Sequence, residues 1–436
     1  MKPKHLHVLT LGGLGMVASA SADVIYSNFQ DIAIPATFDG LYLNVETGAW
    51  NTPSNLGAGV IGWDINPFYG GRAFANSPDF QPVRGGTGSS SPILNLAAGA
   101  SVGSGSVFST FVQGVGGENP GGPGYGGSQM LTGAGGNFTS GTEGYLGFRL
   151  NGTDYGWMRV VLTNNTAGAL IKDWAYDTSG AAVVVGGIQQ VGQDIVLSSG
   201  FTLASALADS GGTTNLVKNG SGTNTVKAAS TYTGATTVSN GTLLVNNSSG
   251  SGTGTGTVSV SSGATLGGTG AISGAVNVTG VLSPGASVET LGSGALTLND
   301  GSTFAYEVDS SVSATVGADL MKVAGNLGLS GTVTLTLDDL AVTDLAFANG
   351  TIFSLINYTG TWNGGKFTFG GNLLDNNEQF TAGLNTWEIR YDDTTGGSNF
   401  SGEYAAGSFV NITVVPEPRA ALLGGLGLLI LLRRRR

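Results

Sequence analysis

Thr332-Val333-Thr334-Leu335-Thr336-Leu337 sets Val333, Leu335 and Leu337 on one face of an extended chain and three threonines on the other. Successive side chains of a strand point to opposite faces, so this alternation predicts a half-buried β-strand. The same two-residue period recurs at Val258 and Val260, at Val276 and Val278, and at Leu296 and Leu298. Glycine turns precede such segments: Asn240-Gly241-Thr242-Leu243, Ser262-Gly263-Ala264-Thr265-Leu266, Asp300-Gly301-Ser302-Thr303-Phe304 and Asn349-Gly350-Thr351-Ile352. Their glycines lie 22, 38 and 49 residues apart, and Gly280-Val281-Leu282 divides the middle interval. A recurrence near twenty residues predicts a parallel β-solenoid, whose coils leave a backbone edge unpaired until the next coil stacks ~4.8 Å away. At ~20 residues per coil, positions 191–345 hold about seven coils in a rod of roughly 35 Å.

Upstream, over 23–190, the texture is different. Gly144-Tyr145-Leu146-Gly147-Phe148-Arg149-Leu150, Tyr155-Gly156-Trp157-Met158-Arg159-Val160-Val161-Leu162 and Leu170-Ile171-Lys172-Asp173-Trp174-Ala175-Tyr176 read as strands. Asn151-Gly152 and Asn164-Asn165 supply the turns between them, which predicts an antiparallel meander. A β-sandwich or jelly roll covers the apolar face of such a meander most simply. The glycine-rich stretches 85–91 and 114–136 are too long for tight turns and lack the strand-to-helix setting that cradles phosphate, so they read as surface loops. Downstream, over 346–413, Phe353, Trp362, Phe367, Phe369, Trp387 and Tyr391 make the chain more aromatic, as a β-rich cap over an open solenoid end requires.

One segment of the solenoid region matches a known repeat. Leu216-Val217-Lys218-Asn219-Gly220-Ser221-Gly222-Thr223, then Tyr232-Thr233-Gly234-Ala235-Thr236-Thr237-Val238 and Asn240-Gly241-Thr242-Leu243-Leu244-Val245, resembles the autotransporter-associated β-strand repeat. The resemblance, near 216–245, implies coils of a right-handed parallel β-helix. Asn224 stands where that repeat carries an apolar residue and Ala235 where glycine is common, which points to an irregular first coil. The export route of a true autotransporter is set aside, since its C-terminal membrane barrel has no counterpart here.

Both ends carry export signatures. Lys2 and Lys4 precede an apolar stretch from Val8 to Val17, and Ala18-Ser19-Ala20-Ser21-Ala22 follows with two small-x-small cleavage sites. A signal peptide over 1–22 is expected, cut by signal peptidase at Ala20 or Ala22 to leave a chain beginning near Asp23. At the other end, over 414–436, Pro416-Glu417-Pro418 comes first, then an apolar run over 420–432, then Arg433, Arg434, Arg435 and Arg436. As a short hydrophobic helix this run would cover only ~20 Å of a hydrocarbon core roughly 30 Å thick. The arginines should stay cytoplasmic by the positive-inside bias, and the two prolines keep the motif extended and open to a protease. This order resembles the PEP-CTERM sorting signal of Gram-negative bacteria, which implies recognition of Pro416-Glu417-Pro418 by an exosortase, transient inner-membrane anchoring and removal of the tail. The Tyr145, Trp157 and Trp174 strands likewise resemble the N-terminal regions of many proteins with such tails.

Composition narrows the chemistry. The only histidines, His5 and His7, fall in the signal peptide, and cysteine is absent. The mature protein therefore lacks the groups for Ser-His-Asp or Cys-His catalysis, for imidazole or thiolate zinc sites, and for disulfides. Removing Lys2, Lys4 and the four terminal arginines from 17 basic residues leaves 11 against 28 acidic, a balance of −17 that makes nucleic acid an unsuitable partner. Charged residues form 10% of the chain, so its surface is polar but mostly neutral. Carboxylate chemistry on sugars remains, but Asp338-Asp339 and Asp392-Asp393 are strand neighbours that point apart. Between positions 201 and 340 the basic residues are only Lys218, Lys227 and Lys322, few for a β-helix that cleaves polysaccharide. Asp177, Asp338, Asp339, Asp392 and Asp393 match no calcium-loop pattern. Trp157 and Trp174 lie in alternating strands, where a core role precedes glycan stacking.

The sequence thus predicts an all-β protein, an N-terminal sandwich-like domain followed by a right-handed parallel β-helix and a short C-terminal hydrophobic helix. It is read as a non-enzymatic exported protein of the cell surface or extracellular matrix, structural or adhesive, without cofactor or metal. The alternatives are an extracellular carbohydrate-binding protein and a polysaccharide-active β-helix enzyme.

Overall fold

A computed structural model describes residues 22–53, 59–87, 91–108, 128–132, 136–285, 288–312, 317–397 and 407–416. Every regular element among them is a β-strand. The expected signal peptide through Ser21, including Ala20, lies outside this set, as do Glu417, Pro418, the expected hydrophobic helix over 420–432, the terminal arginines and parts of both glycine-rich stretches.

The predicted meander forms from Glu143–Leu150, Asp154–Val161 and Leu170–Asp177, paired antiparallel in sequence order. Asn151 and Gly152 make the first turn with φ of 53° and 80°, a left-handed pair that Asn-Gly supplies at least cost. One face of the meander, with Leu146, Phe148, Met158, Val160 and Ile171, shares a core with Leu43, Ile65 and Phe74 of a five-stranded antiparallel sheet. The opposite face, through Trp157 and Ala175, joins a second core that runs through the remainder of the chain to Val414.

From residue 194 the chain alternates between two parallel ladders. The first stacks Asp194–Leu197, Asn215–Lys218, Thr236–Val238, Val258–Val260, Val276–Val278, Leu296–Leu298 and Leu327–Leu329. Strand starts at 194, 215, 236, 258, 276, 296 and 327 give intervals of 18 to 31, so the turn glycines marked only some of the repeats. The second ladder stacks Phe201–Leu203, Thr223–Val226, Thr242–Val245, Thr265–Gly268, Val281–Pro284, Thr303–Val308, Val333–Asp339 and Phe367–Phe369. A third set, Thr290–Ser293, Leu320–Val323 and Ile352–Tyr358, starts later and passes into the antiparallel strands Ser408–Val415, Asn385–Asp393 and Gln379–Ala382.

In-register stacking turns the two-residue period into columns. Phe201, Asn224, Leu243, Leu266, Leu282, Phe304 and Leu335 follow one another across neighbouring strands, all buried. Asn224 breaks the chemistry of this column but not its register, contrary to the irregular coil expected there: its Nδ2 donates to the Phe201 carbonyl at 3.3 Å. Lys218 sits in another column above Val238 and is fully buried. Its ammonium donates to the carbonyls of Gly220 and Asn240, capping a turn that would otherwise lack donors.

A glycine column sets the spacing at the corner before the first ladder. A Cβ on Gly256 would lie 1.9 Å from the Gly234 carbonyl oxygen, and one on Gly274 1.9 Å from that of Gly256. Only glycine lets these backbones approach so closely. Gly256→Ala is expected to lower stability by about 1–3 kcal/mol through overpacking, whereas Gly105→Ala, with open space around it, leaves the urea midpoint unchanged; equilibrium unfolding of both variants measures the difference.

Candidate functional site

Three places on the fold bear on function: the start of the described chain, a set of acids beside the parallel ladders, and the exit of the C-terminal strand.

The leading strand, Asp23–Tyr26, is central rather than peripheral. It pairs antiparallel with Leu170–Asp177 and parallel with Phe201–Leu203, fusing the meander and the second ladder into one sixteen-stranded sheet. Ala22 is buried, and its carbonyl accepts the Thr202 N–H at 2.8 Å. The Asp23 N–H donates to Asp177 Oδ1 at 2.6 Å, and the Asp23 carboxylate meets Lys227 at 3.0 Å. Asp177 also accepts from the N–H groups of Ser179 and Ala181, so it shapes a turn.

Beneath this joint, Arg159 donates from Nε and Nη2 to the two oxygens of Asp173, at 2.9 and 2.6 Å. Tyr26 Oη donates to Asp173 Oδ2 at 2.8 Å, and Arg159 Nη2 also reaches the Gln190 carbonyl. The network ties the leading strand, the meander and Ile188–Val191 together in one place. Burial pushes the Asp173 carboxyl up, and the Arg159 guanidinium opposes that shift. Removing one partner strands a buried charge. Arg159→Met is therefore expected to lose about 3–5 kcal/mol, and adding Asp173→Leu to recover part of it in a double-mutant cycle by urea unfolding.

The neighbours within Asp338-Asp339 and within Asp392-Asp393 are drawn to different partners. Asp339 Oδ1 accepts the N–H groups of Ser310 and Ala341, while Asp338 lies opposite Glu307 on the neighbouring strand. Asp392 accepts the Tyr358 hydroxyl and Asp393 the Asn411 amide. Asp319, fully buried, accepts the N–H groups of Glu289 and Glu307, and burial pushes it up to about 8. Asp64 is pushed up to about 6 by burial, with Glu46 and Asp79 adding to the shift against the Val45 N–H. Both acids are shielded from water, and a cavity of about 30 Å³ beside Trp157 and Ile188 has room for a water molecule. Among the described residues no three acids are grouped to hold a metal ion. Trp157 and Trp174 are 1% and 2% exposed, so neither offers a stacking face; the half-exposed tryptophan is Trp50, on a sheet edge.

Asp319 makes stability depend on pH. Below pH about 8 the folded chain keeps its proton, whereas the unfolded chain releases it above ~4, so stability falls as pH rises between these values. The thermal midpoint should rise as pH is lowered from 9 to 6. Asp319→Asn should flatten that rise, measured by thermal unfolding across the same range.

At the C-terminal end, Ser408–Val415 lies between Ile352–Tyr358 and Asn385–Asp393 as a central strand. Pro416, the first residue of the Pro-Glu-Pro sequence, follows it directly and is exposed. Four apolar side chains stand exposed near this exit, at Leu340, Val342, Leu345 and Leu384. Sequence reasoning passed over them because each sits in a turn or loop with no alternating partner. Among the described residues no helix is long and apolar enough to cross a membrane. No family model and no curated protein matches the sequence.

Proposed function

We propose that this is an exported, non-enzymatic protein of the cell surface or extracellular matrix. In this reading an N-terminal β-sandwich leads into a right-handed parallel β-helix closed by a β-rich cap. Signal peptidase removes the leader, and an exosortase-type protease processes the chain at Pro416-Glu417-Pro418 after transient anchoring through 420–432. The observation that carries the reading is the position of Pro416, exposed and immediately beyond the last strand, so that a cut there leaves every described strand intact. The in-register ladders support a structural or adhesive role, because they present rows of Thr, Ser and Asn. A carbohydrate-binding role remains the second reading, and Trp50 is the aromatic surface that favours it.

The buried Ala22 bears on leader removal. A cut after Ala22 would take away the acceptor of the Thr202 N–H and an alanine from the core, whereas a cut after Ala20 keeps both. Protein taken from surface material or medium of the native host is therefore expected to begin at Ser21 and to end near Pro418, read by intact mass and terminal peptides. An arginine tail retained in the inner membrane would contradict the sorting reading, and a chain beginning at Asp23 would contradict the placement of the leader cut.

A further inference from the structure

The exposed apolar residues near the chain exit form one end face. Leu340 follows Val333–Asp339, and Val342 is fully exposed in the loop beyond it. The Leu345 N–H donates to Ser310 Oγ at 2.9 Å, and the Phe347 N–H donates to Asn385 Oδ1 at 2.9 Å, tying this loop to the hairpin that carries Leu384. The Gly350 N–H donates to the Val414 carbonyl, and Thr386 is the register partner of Val415. Loop 340–350, the hairpin tip and the end of the terminal strand are thus fixed side by side where Pro416 leaves the fold.

We propose that this end face rests in the interfacial layer of the bilayer while the chain is anchored; the proposal rests on the anchoring reading above. Three residues, Glu417, Pro418 and Arg419, separate Pro416 from the apolar run that starts at Ala420. Fully extended, the path from Pro416 to Ala420 spans at most about 14 Å. The headgroup layer on each side of a bilayer is itself roughly 5–8 Å thick. An anchored body therefore has no room to stand off, and the face at its exit is the face that meets lipid. Leu340, Val342, Leu345 and Leu384 are the side chains that gain by leaving water there. Positions 340–350 and 383–386 contain Asp344 but no lysine or arginine, so the face has no attraction to anionic headgroups and fits a zwitterionic surface.

The absence of native cysteine makes the test direct. The chain with its tail intact, carrying Val342→Cys, Leu384→Cys or, as a control in an exposed turn of the N-terminal region, Thr153→Cys, is labelled with a polarity-sensitive dye and reconstituted in phosphatidylcholine vesicles. Co-flotation with the vesicles establishes anchoring. Emission at 342 and 384 should then shift to shorter wavelength and be quenched by a nitroxide lipid labelled near the headgroup, with no change at 153; ending the chain at Pro418 should abolish the shift. Flotation with 342 and 384 behaving like 153 would overturn the proposal alone. A shift that needs no vesicles and grows with protein concentration would assign the face to a second copy and overturn it as well. A chain that does not float would overturn the anchoring reading and the proposal together.

Discussion

Backbone hydrogen bonding on both sides of Asp23–Tyr26 is the constraint on which the architecture depends. One side of this short strand is antiparallel to the meander and the other parallel to the first strand of the second ladder, so two sheets of different pattern become one. Without it, Phe201–Leu203 would present an open edge, and an edge of that kind pairs with other chains. The Arg159–Asp173–Tyr26 network holds the same joint from below. A buried pair of this kind is weak evidence for net stability, but its geometry fixes which strands meet.

Beyond the joint, stability follows from repetition. Each strand satisfies its backbone through its neighbours, and most add an apolar side chain to each column, so the core extends without disulfides. Glycines at 234, 256 and 274 permit the close corner that keeps the columns in register. Of the polar residues buried in the stack, Lys218 at a turn and Asn224 against Phe201 are held by main-chain carbonyls, and Thr236 pairs with the Tyr232 hydroxyl. A stack built this way presents rows of neutral polar side chains, such as Thr237, Ser259, Asn277 and Thr297.

Much of this was legible in the sequence. Alternation at Val258, Val276, Leu296 and Val333 marked strands that the ladders contain, and Asn151-Gly152 marked the turn of the meander. The role of the leading strand was hidden because pairing across more than 150 residues leaves no local pattern, and Val24-Ile25-Tyr26 is too short to show a period. The corner glycines were hidden for a different reason: their negative φ gives no turn signature, and only the close approach of the neighbouring backbone demands them. The end face around Pro416 was illegible because its apolar residues come from separate turns that the fold brings together.

The leading strand makes the meander and the ladders one cooperative body. Native-state hydrogen exchange across a urea series tests it through the amides of Thr202 and Ala204, which donate to Ala22 and Val24, and those of Trp174 to Asp177 in the meander. One cooperative body gives both groups a common opening free energy and a common urea dependence in the full chain, and a joint loss of protection when residues 22–26 are removed. Separate opening energies in the full chain, or an unchanged meander after that removal, would contradict it.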